Sequence, residues 1–263
     1  MDNQTIVEAP PQLYALPGFH EPFAAMSHLI GAFVFFILGC VLLMRGRHNR
    51  NGLICLSIYA VSVVTLLALS GVYHMLIRGG TPNLVLGRLD HGAIFVFIAG
   101  SFTPAHGILL RGWQRWAPLF LIWTIAVTGI TLKTIFFDEM PHWLGLTLYL
   151  AMGWLGLFSG IMLARRYGFN FIKPLLIGGI AYSIGAVIDV LPWFIVVPGV
   201  VHPHELFHVA VLMGAFWHWL FICQFAGGGP SESRTRATGS ARSDCVGSEG
   251  QQKTASGTLT APR

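Results

Sequence analysis

The chain has 263 residues, of which 54% are hydrophobic and only 10% charged, whereas a soluble domain carries roughly 25% charged residues. That balance excludes an ordinary soluble domain and implies a multi-pass integral membrane protein of a plasma or inner membrane. The formal net charge of +5 resides in loops and tail. No basic stripe with interleaved aromatics occurs, so no nucleic-acid partner is expected.

The opening MDNQTIVEAP lacks a basic n-region, so no cleavable signal peptide is expected, and residues 1–22 read as an extramembrane segment. A bilayer core requires about 20 apolar residues per helix, and seven stretches qualify. The first runs from Phe23 to Met44 and stops at Arg45 and Arg47. The second runs from Leu53 to Ile77 and stops at Arg78. The third covers Leu89 to Leu110, with Asp90 at its entrance. The fourth covers Trp116 to Phe137, with Lys133 near its end. The fifth spans Trp143 to Ala164 and stops at Arg165 and Arg166. The sixth spans Phe171 to Val197, interrupted by Asp189 and Pro192. The seventh starts near His204 and ends by Phe225. Trp113, Trp116, Trp143 and Trp193 fall near span ends, where aromatic belts sit. The expected fold is thus an all-α seven-transmembrane helix bundle over residues 23–226. Residues 227–263, rich in Gly, Ser, Thr and Arg, read as a disordered polar tail. Cys40, Cys55, Cys223 and Cys245 are scattered and form no CxxC, which argues against a disulfide framework or a thiolate metal site.

Successive spans alternate in direction, so the end of an even span and the start of an odd one share a membrane side. His74 ends the second span, Asp90 starts the third, and His204 and His208 start the seventh. All four fall on one side at about one depth. His204 and His208 are four residues apart and project from one helix face. Ser70 and His74 share that spacing. Two histidines from one helix and one from another make a three-nitrogen zinc site with its fourth position open, the arrangement of catalytic Zn2+. Such an ion brings the pKa of a water toward neutrality, and Asp90 and Ser70 become the candidate catalytic assistants. The same residues can instead cap helices, line a wet vestibule or hydrogen-bond between helices, although ionisable groups inside a bilayer are costly enough to suggest function.

SGVYH (Ser70 to His74), LDHGAIFVFIAGSFTP (Leu89 to Pro104), GITLK (Gly129 to Lys133), YSIGA (Tyr182 to Ala186) and HELFHVAVLMGAFWHW (His204 to Trp219) together resemble the hemolysin III branch of the progestin and adipoQ receptor family. The resemblance implies seven helices around an intramembrane zinc held by His74, His204 and His208, with Asp90 and Ser70 as the matching acid and serine. Related alkaline ceramidases hydrolyse a lipid amide, so membrane lipid and a lipid-like substrate are the implied partners. Lysis by pore formation finds no support, because no segment is amphipathic enough to convert from a soluble to an inserted form.

His204-Glu-Leu-Phe-His208 also spells the HExxH of zinc proteases. This helix is apolar on all sides, unlike a zincin helix in a soluble cleft, so Glu205 reads better as a solvated acid at a helix N-terminus. His28, on the same membrane side, reads as a cap or interfacial residue, with a supporting role behind a metal ligand as the alternative. His91 lies about 100° round the helix from Asp90 and does not share its target. His218 lies about 21 Å along the helix from His204. Asp189 reads as a partner of Lys133 or as a residue lining the vestibule, rather than as a ligand. Basic residues favour the side opposite the histidines, which by the positive-inside rule puts the tail in the cytoplasm. The resemblance to adiponectin receptors implies the reverse. Three functions follow: a zinc-dependent intramembrane hydrolase of a lipid-like amide or ester, a receptor-like or structural protein stabilised by zinc, and a proton or metal transporter.

Overall fold

The computed structural model describes residues 21–77, 79–191 and 202–228. The expected tail from 229 onward, most of the N-terminal segment, and Pro192, Trp193 and Val197 of the expected sixth span lie outside the described residues. Among those described, the secondary structure is entirely helical: α1 Pro22–Gly46, α2 Arg50–Met75, α3 Thr81–Leu109, α4 Trp113–Ile135, α5 His142–Trp154, α6 Gly156–Tyr167, α7 Phe169–Asp189 and α8 Pro203–Cys223. Helices α5 and α6 are one span broken at Leu155, so seven segments are long and apolar enough to cross a membrane. With these seven apolar spans the chain is a multi-pass integral membrane protein.

Three boundaries differ from the sequence reading. Helix α3 begins at Thr81, with Pro82 in its first turn, where proline is preorganised and its missing N–H costs nothing. Asp90 is therefore more than two turns inside the helix rather than at its mouth. Helix α7 stops at Asp189, before the proline that the hydropathy pattern had carried it through. The fifth span is two helices, separated where Gly153 and Gly156 weaken helical propensity on both sides of the break.

Lipid-facing and core-facing surfaces are both apolar, as expected where the solvent is hydrocarbon. Phe33, Phe36 and Ile30 of α1 and Phe120 of α4 point outward, while Tyr59, Leu67, Phe221 and Phe225 are fully buried. Without a hydrophobic drive between helices, close approach depends on small residues. Helices α7 and α8 show why: a methyl group at Gly185 would lie 2.5 Å from the Ala210 Cβ, and one at Gly178 would lie 3.0 Å from the Gly214 carbonyl oxygen. These glycines let α8 close onto α7, which brings the first turn of α8 beside Asp189. Polar groups in the bundle find partners across helices. Tyr59 donates to the Ala215 carbonyl at 3.3 Å, Trp219 to the Leu38 carbonyl at 3.0 Å, and Trp123 to Thr103 at 3.2 Å.

An interior cavity of about 390 Å³ runs along the bundle. At one end stand His74, Asp90, His204 and His208. At the other are His106, Ser159 and Phe221.

Candidate metal centre

Each histidine is delivered by a helix end. His74 is in the last turn of α2, while His204 and His208 occupy successive turns at the start of α8. Their ring nitrogens converge: His204 Nε2 lies 3.4 Å from His74 Nε2 and 3.1 Å from His208 Nε2. One ligand atom from each of the three falls within 4.8 Å of the others. Tetrahedral geometry with Zn–N bonds of 2.0–2.1 Å requires nitrogens about 3.3 Å apart. The observed spacings fit that requirement.

The opposite ring nitrogens explain why the Nε2 atoms face one another. His74 Nδ1 is hydrogen-bonded to the Glu21 carboxylate. His204 Nδ1 donates to Asp189 Oδ1 at 3.0 Å, and His142 Nε2 donates to Asp189 Oδ2 at 2.7 Å. A proton held on Nδ1 by a carboxylate leaves Nε2 as a lone pair. The two lone pairs fixed in this way, on His74 and His204, lie 3.4 Å apart and repel unless a cation or a proton lies between them. The donor set therefore fits a zinc ion on chemical grounds as well as on spacing.

The third ring is fixed by packing. His28 stacks on His208 with ring centroids 3.8 Å apart and 18° between planes, and His28 Nε2 lies 3.4 Å from the His208 carbonyl oxygen. His28 is 3% exposed, so of its two expected roles the structure favours a buried support for His208 over an interfacial cap. Glu21, assigned by the sequence reading to an extramembrane segment, is likewise part of the site. Its backbone N–H donates to the His74 carbonyl at 3.1 Å, so the entry to α1 is tied to the end of α2 through both backbone and side chain.

Asp90 is buried on α3 and lines the same cavity as the three histidines. It lies outside the converging nitrogen set. Ser70, one turn before His74 on α2, is buried and interacts with the Asp90 side chain. His91 also lines the cavity but lies outside the nitrogen set, its Nδ1 donating to the Gly87 carbonyl at 2.8 Å.

Two expectations are corrected. Asp189 pairs with His142 and His204, not with Lys133. Helix α5 packs against both α4 and α7, so its first residue, His142, reaches Asp189 where Lys133 does not. Glu205 is not a solvated acid. It is 8% exposed and accepts the His202 backbone N–H at 3.0 Å, capping α8.

The orientation of His74 and His204 by carboxylates has a measurable consequence. Asp189→Asn and Glu21→Gln each lower zinc affinity by roughly 10–100-fold while leaving all three ligands present. Competition with a zinc-sensitive chelator checks this; unchanged affinity in both variants would show that the carboxylates do not serve the ligands.

The haemolysin-III related family matches residues 19–219 of the chain. Hemolysin-3 of Bacillus cereus is 31% identical over 204 residues, covering 76% of this chain and 87% of that protein. The Hemolysin-3 homolog of Bacillus subtilis is also 31% identical over 204 residues, covering 76% and 92%. A more distant likeness, 28% identity over 186 residues covering 63% of this chain and 79% of the relative, is to the heptahelical transmembrane protein ADIPOR2 of Oryza sativa. The matched region holds the first six spans, most of α8 and every residue of the histidine cluster. The chain belongs to the haemolysin-III related family of multi-pass membrane proteins.

Proposed function

We propose that the protein is a zinc-dependent intramembrane hydrolase of a lipid-like amide or ester. The observation that carries this reading is the convergence of three Nε2 atoms, two of them backed by carboxylates, at one end of a largely apolar cavity beside a buried acid. An ion held there by His74, His204 and His208 supplies Lewis-acid polarisation of a carbonyl and acidification of a water.

The chain's own residues supply the rest. Glu21 and Asp189 hold the ring protons on Nδ1, and His28 fixes the plane of His208. Asp90 takes the proton released as water adds to the carbonyl carbon and passes it to the departing amine or alcohol, so that the C–N or C–O bond breaks with a neutral leaving group. Ser70 keeps the Asp90 carboxylate aimed into the cavity. The apolar walls hold the hydrocarbon portion of the substrate and limit water to the polar end.

Turnover of a panel of N-acyl and O-acyl lipids by the detergent-purified full chain tests the reading. Hydrolysis that stops on chelation and returns with zinc supports it. Zinc binding without turnover of any amide or ester would instead favour a receptor-like protein stabilised by its metal.

A further inference from the structure

Lys133 stands in the last turn of α4 and is only 5% exposed, yet its side chain lines the cavity. Its Nζ lies 5.1 Å from the centroid of the Phe137 ring. Among the described residues no carboxylate reaches it at ion-pair distance. Asp138, the acid that acts on it electrostatically, is 72% exposed and bonded to Arg88 at 3.2 Å. Asp189 is occupied by His142 and His204. Arg88 lies over the same Phe137 ring at 5.5 Å, and its Nε is buried without an acceptor.

An ammonium group enclosed in a membrane bundle is costly without a counter-charge, and an aromatic face offsets that cost only in part. Lys133 therefore has an electrostatic vacancy, and the vacancy opens into the cavity. It lines the same cavity as His142 and His204, and a methyl group at Gly145, three residues after His142, would lie 3.8 Å from its Nζ. The cavity it lines also presents the apolar side chains of Ile94, Ile98, Leu146 and Leu150.

We propose that Lys133 anchors the anionic group of an amphiphilic ligand, a phosphate or carboxylate oxyanion that pairs with Nζ while the attached hydrocarbon lies along the apolar wall. This names a substrate class for the proposed hydrolase and, for turnover alone, rests on that reading; the binding itself requires no metal. Arg88, over the same Phe137 ring, adds positive field nearby, and the compact ammonium of Lys133 makes the direct contact.

The experiment is ligand binding to the full chain in an uncharged detergent, both zinc-loaded and chelator-treated. Dodecyl phosphate binds roughly tenfold or more tightly than dodecanol, as expected for a charge-assisted hydrogen bond in a dry site. K133M and, as a second charge-removing variant, K133Q lose the preference, while K133R keeps it and all three retain wild-type zinc content. Equal affinity for dodecanol, or a preference that survives in both K133M and K133Q, would overturn the assignment. Inorganic phosphate that competes as well as dodecyl phosphate would overturn the lipid-borne source of the anion. A preference that persists in chelated protein, with no hydrolysis on zinc loading, would sink the hydrolase and leave the anion site standing.

Discussion

H204A protein purifies without stoichiometric zinc, and H208A behaves the same way. Each substitution removes one of only three nitrogens and leaves two ligands on two helices. It also strands a support: Asp189 loses the ring it orients in H204A, and His28 loses its stacking partner in H208A. Because an ion held by these three histidines would bridge α2 and α8, its loss would also lower thermal stability. Binding to the folded state alone stabilises by about 2.7 kcal/mol at a free zinc concentration 100-fold above Kd. Wild-type protein therefore melts higher with zinc than after chelation, and H204A shows no such difference. A zinc-dependent rise in melting temperature that persists in H204A would place the ion elsewhere.

D90N separates binding from chemistry. Asp90 lies outside the converging nitrogens, so the amide leaves zinc content and the zinc-dependent melting shift unchanged. It cannot take up a proton, and loss of a general acid–base group costs roughly 10²–10⁴-fold in rate. The expected outcome is loss of lipid turnover at that scale with the metal retained. Turnover within about threefold of wild type, well short of that range, would remove Asp90 from the proton path. Ser70→Ala should have a smaller effect, since the hydroxyl positions Asp90 without itself carrying the proton.

Much of this site was legible in the sequence, for a definite reason. A helix repeats every 3.6 residues, so His204 and His208 had to share a face. Spans alternate in direction, so His74 and Asp90 had to share their membrane side. Neither inference needs to know which helices are neighbours. The supporting groups do need that knowledge, and they were missed or misassigned. Glu21 meets His74 only because the start of α1 packs against the end of α2. Asp189 meets His204 and His142 only because α7 stands next to both α8 and α5. The pairing of Asp189 with Lys133 rested on side and depth alone, which do not establish adjacency. One signal was available: Asp189 and Glu21 are acids beside apolar runs, where an unpaired charge is costly and a buried histidine is a natural partner. The helix break at Leu155 was hidden because hydropathy reads the fifth span as continuous, whereas glycine placement decides its backbone.

X-ray absorption at the zinc edge of the purified, zinc-loaded chain tests the central claim most directly. The histidine centre predicts one zinc per chain with three nitrogen ligands and one oxygen at about 2.0–2.1 Å and no sulfur. An absence of bound zinc, or a coordination sphere of sulfur or of oxygen alone, would contradict it.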